Sequence, residues 1–211
     1  MSVASELDGT VRMSGEATVT FWFDPVCPFT WRTSRWVRDV ASRPGRAVRW
    51  AVMSLAILND GKEIPERFRE GMRQAPRAHR VLVAADQRYG QDAIDRLYTA
   101  LGERLHHGGE RLGTDLLVAA IADAGLPVDL IDAADDSSLD PAVRASHDEG
   151  QARVGTESGS PVIAIDDHPG FFGPVVVPVP EPDTADRLFE ALRLLSGVPQ
   201  FSELKRARNP F

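Results

Sequence analysis

FWFDPVCPFTW, residues Phe21 to Trp31, is the stretch on which the reading of this chain turns. Val19 to Phe23 is apolar and rich in β-branched and aromatic side chains, the composition of a buried strand. Asp24-Pro25 ends it, because Pro25 has no N–H to give to a ladder. Cys27 follows, the only cysteine among 211 residues. Pro28 suits the first turn of a helix, where a missing N–H costs nothing. Thr30 to Val40 contains no Pro or Gly and is expected to be helical. The thiol is thereby placed where a strand passes into a helix N-terminus. Unpaired amides and the positive end of the helix dipole favour an anion there, and the thiolate is the reactive form of cysteine. The plain alternative is that Cys27 is a small buried hydrophobe, as free cysteines commonly are.

Composition narrows the classes. The chain carries 24 basic and 31 acidic side chains, a formal net charge of -7, with 43% hydrophobic residues. Non-specific nucleic-acid binding needs a cationic surface and is not expected. No apolar run is long enough to span a bilayer, so no membrane role is expected. Residues 1–17 hold Glu6, Asp8 and Glu16 without an apolar segment. They read as a mobile tail and not as a signal peptide. One cysteine permits no internal disulfide, which suits a reducing cytoplasm. With one Cys and no paired histidine spacing, no metal site is expected.

Outward from the motif, Arg43-Pro44-Gly45 stops the first helix. Ala47 to Leu58 reads as a second strand, buried on both faces, which makes a right-handed βαβ unit. Glu66 to Tyr89, Asp92 to Arg104 and Thr114 to Ala124 read as helices, with Pro76 expected to kink or restart the first. Ile94, Leu97, Tyr98, Leu101 and Leu105 form one apolar stripe. Thr114 is a candidate N-cap, and Gly125 a C′ residue. Leu130 to Ala134 and Pro141 to Val154 are further helices, split by a turn at Asp135 to Ser138. A strand follows at Ser160 to Ile165, then a turn at Asp166 to Gly170. Phe171 to Val179 is its expected antiparallel partner. Thr184 to Leu195 closes the chain, capped by Asp183 or Thr184. The sum is an α/β chain, a thioredoxin-like fold with an all-helical insertion between an N-terminal βαβ and a C-terminal ββα half. The expected division is 18–62 with 156–211 as the thioredoxin-like domain and 63–155 as the inserted helical subdomain.

Four stretches carry a resemblance: FWFDPVCPFTWRTSRW, GSPVIAI, FFGPV and FSELKRAR. With them the chain resembles the DsbA-like thioredoxin-fold family, which is related to kappa-class glutathione transferases. It is most similar to the actinobacterial branch that contains the mycothiol-dependent nitroreductase. The resemblance implies thiol chemistry at Cys27 with a low-molecular-weight thiol, mycothiol, as co-substrate. One departure matters. The common redox pattern of the family is Cys-x-x-Cys, and here Thr30 stands at the fourth position. A dithiol site resolves its mixed disulfide with the second thiol; a monothiol site must be released by an external one. Kappa-class transferases also carry a hydroxyl residue there, so conjugation or isomerisation stays open beside disulfide exchange. The partners are then a small thiol and an unidentified disulfide or electrophilic substrate, with a homodimer left open.

Individual residues follow from both arguments. The resemblance places Ser160-Pro161 at the cis-proline that faces the active cysteine, where the preceding backbone can pair with a bound thiol compound. Thr30, three residues after Cys27, either faces the sulfur from one helical turn on or caps the helix. Trp22 and Trp36 read as core. Pro28 and Phe29 are placed at the mouth of the site, where Phe29 could stack on an aromatic acceptor. His106, at a helix end before Gly108-Gly109, is either a solvated C-terminal residue or a contact to the thiol cofactor. A second reading of the whole chain is a degenerate thioredoxin fold that binds a small molecule or protein without redox chemistry.

Overall fold

β1 (Ala17–Phe23) is an inner strand and both of its faces are covered. The computed structural model describes residues 17–155 and 158–207. The expected mobile tail therefore lies outside the described residues, except for Ala17, which opens β1. β1 pairs in parallel with β2 (Arg46–Val52), with Phe21 opposite Trp50. On its other side it pairs antiparallel with β3 (Val162–Ile165), with Phe21 opposite Ile163. β4 (Phe171–Phe172) forms the edge beyond β3, so the order is β2-β1-β3-β4.

Alternation along β1 explains its two buried faces. Val19, Phe21 and Phe23 enter the main core with Trp50, Val52, Ile163 and Ile165. Trp22 points the other way, with Ala51, Met53, Val162 and Ala164. Helix α1 (Pro28–Ala41) adds Trp31, Trp36, Val37 and Val40 to the main core, and α7 (Pro182–Ser196) adds Ala185 and Phe189. Between β2 and β3 in the chain come α2 (Leu55–Leu58), α3 (Glu66–Tyr89), α4 (Gln91–Gly102), a π-helical turn (Glu103–His107), α5 (Thr114–Asp123), two short 3-10 segments (Val128–Asp135 and Ser137–Leu139) and α6 (Asp140–Val154). The apolar residues of α3, α4 and α5 are continuous with the core built on β1. The architecture is α/β, with β1-α1-β2 and β3-β4-α7 as its two halves and the other helices between them.

Several elements end where local chemistry ends them. The second strand stops at Val52 and not at Leu58, because Ser54 caps a short helix by accepting from the Ile57 N–H at 3.2 Å. β4 is two residues long, not nine: Gly173 at φ +90 and the prolines at 174 and 178 remove donors and turn the chain. α3 does not restart at Pro76; it is one helix that forgoes the bond Pro76 cannot make. Thr114 does not cap α5, since Gly113 holds the cap position and Thr114 Oγ1 accepts from Arg77 at 2.9 Å. Asp183 and Thr184 lie inside α7, whose cap is Glu181 with Pro182 in the first turn. Ile94, Leu97, Tyr98 and Leu101 of the stripe are buried as expected, but the helix gives way at Glu103 to a π turn that leaves Leu105 half-buried and carries His106 and His107.

The approach of α4 to α1 depends on a missing side chain. A Cβ on Gly102 would lie 2.0 Å from Cε3 of the buried Trp31 ring, whereas one on Gly71 of α3 would meet nothing within 4 Å. Gly102→Ala is therefore expected to destabilise the protein by about 1–3 kcal/mol through overpacking. Gly71→Ala should stabilise it by about 0.5–1 kcal/mol. Urea melts of the two variants, side by side, check both signs.

Candidate active site

Cys27 is the N-cap residue of α1, with extended backbone at φ -85 and ψ 112 and Pro28 following in the first turn. Its N–H closes a turn onto the Asp24 carbonyl at 3.1 Å, and its own carbonyl accepts the Trp31 N–H at 3.0 Å. The thiol lies 3.7 Å from the carbonyl oxygen of Ser160, to which it donates. Ser160 precedes Pro161 through a cis peptide bond, as the resemblance implies; Gly173-Pro174 and Val177-Pro178 are cis as well.

Ser160 joins the site with its side chain too. Its Oγ accepts the Asp24 N–H at 3.1 Å and lies 2.7 Å from Thr30 Oγ1. Thr30 is fully buried and faces this pair, so it is not a helix cap. Either hydroxyl can donate in that bond, and the Thr30 hydroxyl also favours the thiolate of Cys27. A hydroxyl has one proton to give and two lone pairs to receive.

The electrostatics correct the simple helix-terminus expectation. Cys27 is only 7% exposed. Burial pushes its thiol up, because an anion is costly away from water. The Thr30 hydroxyl and the amides of Thr30 and Phe29 pull it down, and the charge of Asp24 adds to the upward side. Burial wins. The donors at the head of α1 limit the cost of a thiolate but do not make it the resting form.

The other expected residues surround the motif at different depths. Pro28 is exposed and Phe29 half-buried, at the surface end of α1. His106 reaches the motif through its backbone, its Nε2 donating to the Pro25 carbonyl at 2.9 Å. Its ring stacks near Trp31 with centroids 6.1 Å apart. Burial pushes His106 down from its ordinary value, so it stands neutral at neutral pH. Trp22 and Trp36 are core residues, 0% and 1% exposed.

Two groups escaped the sequence reading. Asp24 Oδ1 accepts the Val26 N–H at 2.9 Å, and Oδ2 accepts the Leu55 N–H at 2.6 Å. Oδ2 also meets His79 Nε2 at 3.2 Å. The bond to Val26 is an Asx turn, a signal already present in Asp24-Pro25-Val26. No local signal points from His79 to Asp24, 55 residues away. Among the described residues no group of three or more His, Cys, Asp or Glu is placed to hold a metal ion.

Comparison with known proteins gives the following. A family model described as "Rv2466c-like: Mycothiol-dependent nitroreductase Rv2466c" matches residues 26–206. The Mycobacterium tuberculosis protein Rv2286c, described as uncharacterized, is 34% identical over 198 residues, covering 92% of this chain and 83% of that protein. The probable DsbA oxidoreductase SCO1869 from Streptomyces coelicolor superposes with a TM-score of 0.61 at 19% identity, covering 90% of this chain and 94% of that one. The cytosolic disulfide reductase DsbM from Pseudomonas aeruginosa, solved with GSH, gives 0.59 at 17% identity over 84% of this chain and 100% of that one. The structural likenesses establish the thioredoxin-type fold shared with DsbA-like proteins.

The raised thiol has a consequence for stability. An unfolded cysteine titrates near about 8.5, and native Cys27 titrates above its ordinary value. Between the two the native state keeps a proton that the unfolded chain has lost, so stability falls as pH rises through that window. Below the unfolded value the contribution is fully present. Cys27→Ser should remove this decline, seen as a smaller difference between urea melts at about pH 7 and about pH 10. Thr30→Val takes a donor from the sulfur and a partner from Ser160. It should raise the alkylation midpoint of Cys27 and cost about 1–3 kcal/mol of stability.

Proposed function

Since the chain belongs to the family of Rv2466c-like mycothiol-dependent nitroreductases, thiol-dependent oxidoreductases, we propose that it acts as a monothiol oxidoreductase through Cys27 with mycothiol as co-substrate. The observation that carries this reading is the placement of the sulfur. It sits at the head of α1, within reach of the Ser160 carbonyl before cis-Pro161, with the Thr30 hydroxyl bonded to the Ser160 side chain. Catalytic roles fall to Cys27 as nucleophile and Thr30 as donor to the thiolate. Pro28, Phe29, Ser160, Pro161 and His106 are the proposed contacts for the thiol compound. DsbM, of the same fold, was solved with another small thiol, GSH, which supports a low-molecular-weight thiol as the partner class.

The chemistry balances without a second cysteine. The Cys27 thiolate attacks a disulfide R–S–S–R′; a bond forms between Sγ and one sulfur, and the other leaves as a thiolate. A mycothiol thiolate then attacks the substrate sulfur of the mixed disulfide and returns Cys27 as a thiolate. A second mycothiol completes the reduction. Two thiols are oxidised to one disulfide, and two electrons reach the substrate. A nitroaromatic is the acceptor that the family name suggests, with the same two mycothiols consumed for each two-electron step.

We place residues 63–155 as a helical subdomain that roofs this site. A cytoplasmic location fits the single free cysteine, and among the described residues no helix is long and apolar enough to cross a membrane. The burial of Cys27 favours a second reading, a binding module whose thiol is inert.

Incubation with mycothiol disulfide and intact-mass analysis decides between them. A single mycothiol adduct, lost in Cys27→Ser together with nitroaromatic turnover, is the expected result. Absence of any adduct at alkaline pH leaves the binding module standing.

A further inference from the structure

Helix α6 makes a polar contact with the loop before β3 that the thiol chemistry above does not use. Gly150 sets its approach: a Cβ there would lie 2.9 Å from the buried Trp22 ring, so the helix rests directly on β1. One turn earlier, Ser146 Oγ donates to the Val52 carbonyl at 2.6 Å, and His147 Nδ1 accepts the Ser54 N–H at 3.3 Å. Both bonds fix α6 to the end of β2. Gln151 then reaches forward to the loop. Its Nε2 donates to the Ser158 carbonyl at 2.8 Å, and its Oε1 accepts the Ser158 N–H at 2.9 Å. A carboxamide offers a donor and an acceptor side by side, as a peptide group does. Gln151 thus takes the place of a neighbouring strand for one residue.

Ser158 stands two positions before Ser160, whose carbonyl receives the Cys27 thiol at 3.7 Å. Gly159, between them, lies against the half-exposed ring of Phe172, which a Cβ on Gly159 would meet at 3.2 Å. Ser160 is held through its hydroxyl by the Asp24 N–H and by Thr30, and the Pro161 carbonyl accepts the Gly173 N–H at 2.9 Å. Each residue from Ser158 to Pro161 is thus fixed by a contact from another part of the chain. An extended polypeptide binds beside such a loop by strand addition, pairing its own N–H and C=O groups along the backbone. At Ser158 both groups are already spent on Gln151. A chain that pairs at Ser160 therefore meets a filled position two residues on. A small compound needs no second position.

We propose that Gln151 is a positioning residue for the thiol reaction and that it sets the substrate class. Its carboxamide fixes the loop so that the Ser160 carbonyl stays beside the sulfur, and it withholds the Ser158 backbone from an incoming chain. The substrates are low-molecular-weight disulfides, which pair at Ser160 alone, and not polypeptides. This role rests on the reading of Cys27 as the reactive group. In the step concerned, the Cys27 thiolate attacks one sulfur of the disulfide; one S–S bond forms, the other breaks, and the departing sulfur leaves as a thiolate. Gln151 exchanges neither a proton nor an electron in that step.

Two mixed disulfides of thionitrobenzoate test it on the full-length reduced protein, one carried by mycothiol and one by a cysteine in the middle of an unstructured peptide. Release of the coloured thiolate reports attack on the carrier sulfur. Each rate is taken relative to that of free N-acetylcysteine, and the ratio of the two cancels the thiolate fraction of Cys27. The native protein should favour the mycothiol carrier. Gln151→Met keeps the volume and loses the carboxamide. It should slow release from the mycothiol carrier by on the order of tenfold and narrow the preference over the peptide. Alkylation by iodoacetamide, which needs no loop contact, should keep its rate. Equal rates with the two carriers in the native protein overturn the proposal. So does a Gln151→Met variant whose rate ratio is unchanged, whatever its melting temperature. Hydrogen exchange needs no substrate: the Ser158 amide should be protected in the native protein and exchange about tenfold faster in Gln151→Met, with the Trp22 amide unmoved. A Ser158 amide that is unprotected in the native protein overturns the clamp. If neither carrier releases colour, the reactive-thiol reading falls and this one with it. Prompt release without preference removes this one alone.

Discussion

One residue, Ser160, ties the two halves of the chain together at the sulfur. Its carbonyl takes the Cys27 thiol, and its hydroxyl links the Asp24 amide to Thr30. These contacts bridge 130 to 136 positions of sequence. The turn before α1 and the entry to β3 are both irregular backbone, so neither can satisfy its polar groups by itself in a dry interior. Each supplies what the other lacks. Loss of any one member leaves a buried donor or acceptor unpaired, which costs more than the bond gained in forming it.

A second constraint is aromatic. Phe23 stacks on Tyr98 with ring centroids 3.7 Å apart, and Trp31 meets Tyr98 edge-on at 5.7 Å. Arg35 covers the Trp31 ring at 3.9 Å. This cluster holds α4 against α1 just before the π turn. Gly102 leaves room for the Trp31 ring, and the turn that follows brings His106 onto the Pro25 carbonyl. Single π turns inside helices are frequent at functional sites, because they re-aim side chains that a regular helix would direct elsewhere.

Burial and reactivity pull against each other at Cys27. A cysteine that is 7% exposed is protected from chance oxidants, but its thiolate is disfavoured. The donors at the head of α1 offset part of that penalty, and the charge on Asp24 adds to it. A site of this kind is quiet at rest. Donors brought by a bound compound lower the cost of a thiolate further.

The sequence by itself determined the strand-to-helix handover at Cys27, the missing second thiol, the α/β order of elements and the core roles of Trp22 and Trp36. All of these follow from local pattern, from Pro and Gly positions, or from the four stretches that carry the family resemblance. It also marked Thr30 and Ser160, though without telling whether Thr30 served the helix or the sulfur. Only the tertiary structure decided that Thr30 turns to Ser160, that burial holds the thiol protonated, and that Asp24 binds His79. Each of those depends on groups brought together from distant parts of the chain, and on how much water their packing excludes. Neither quantity is written in residue spacing. A buried charge is set by everything that surrounds it, and that surrounding exists only once the helices between β2 and β3 have closed over β1.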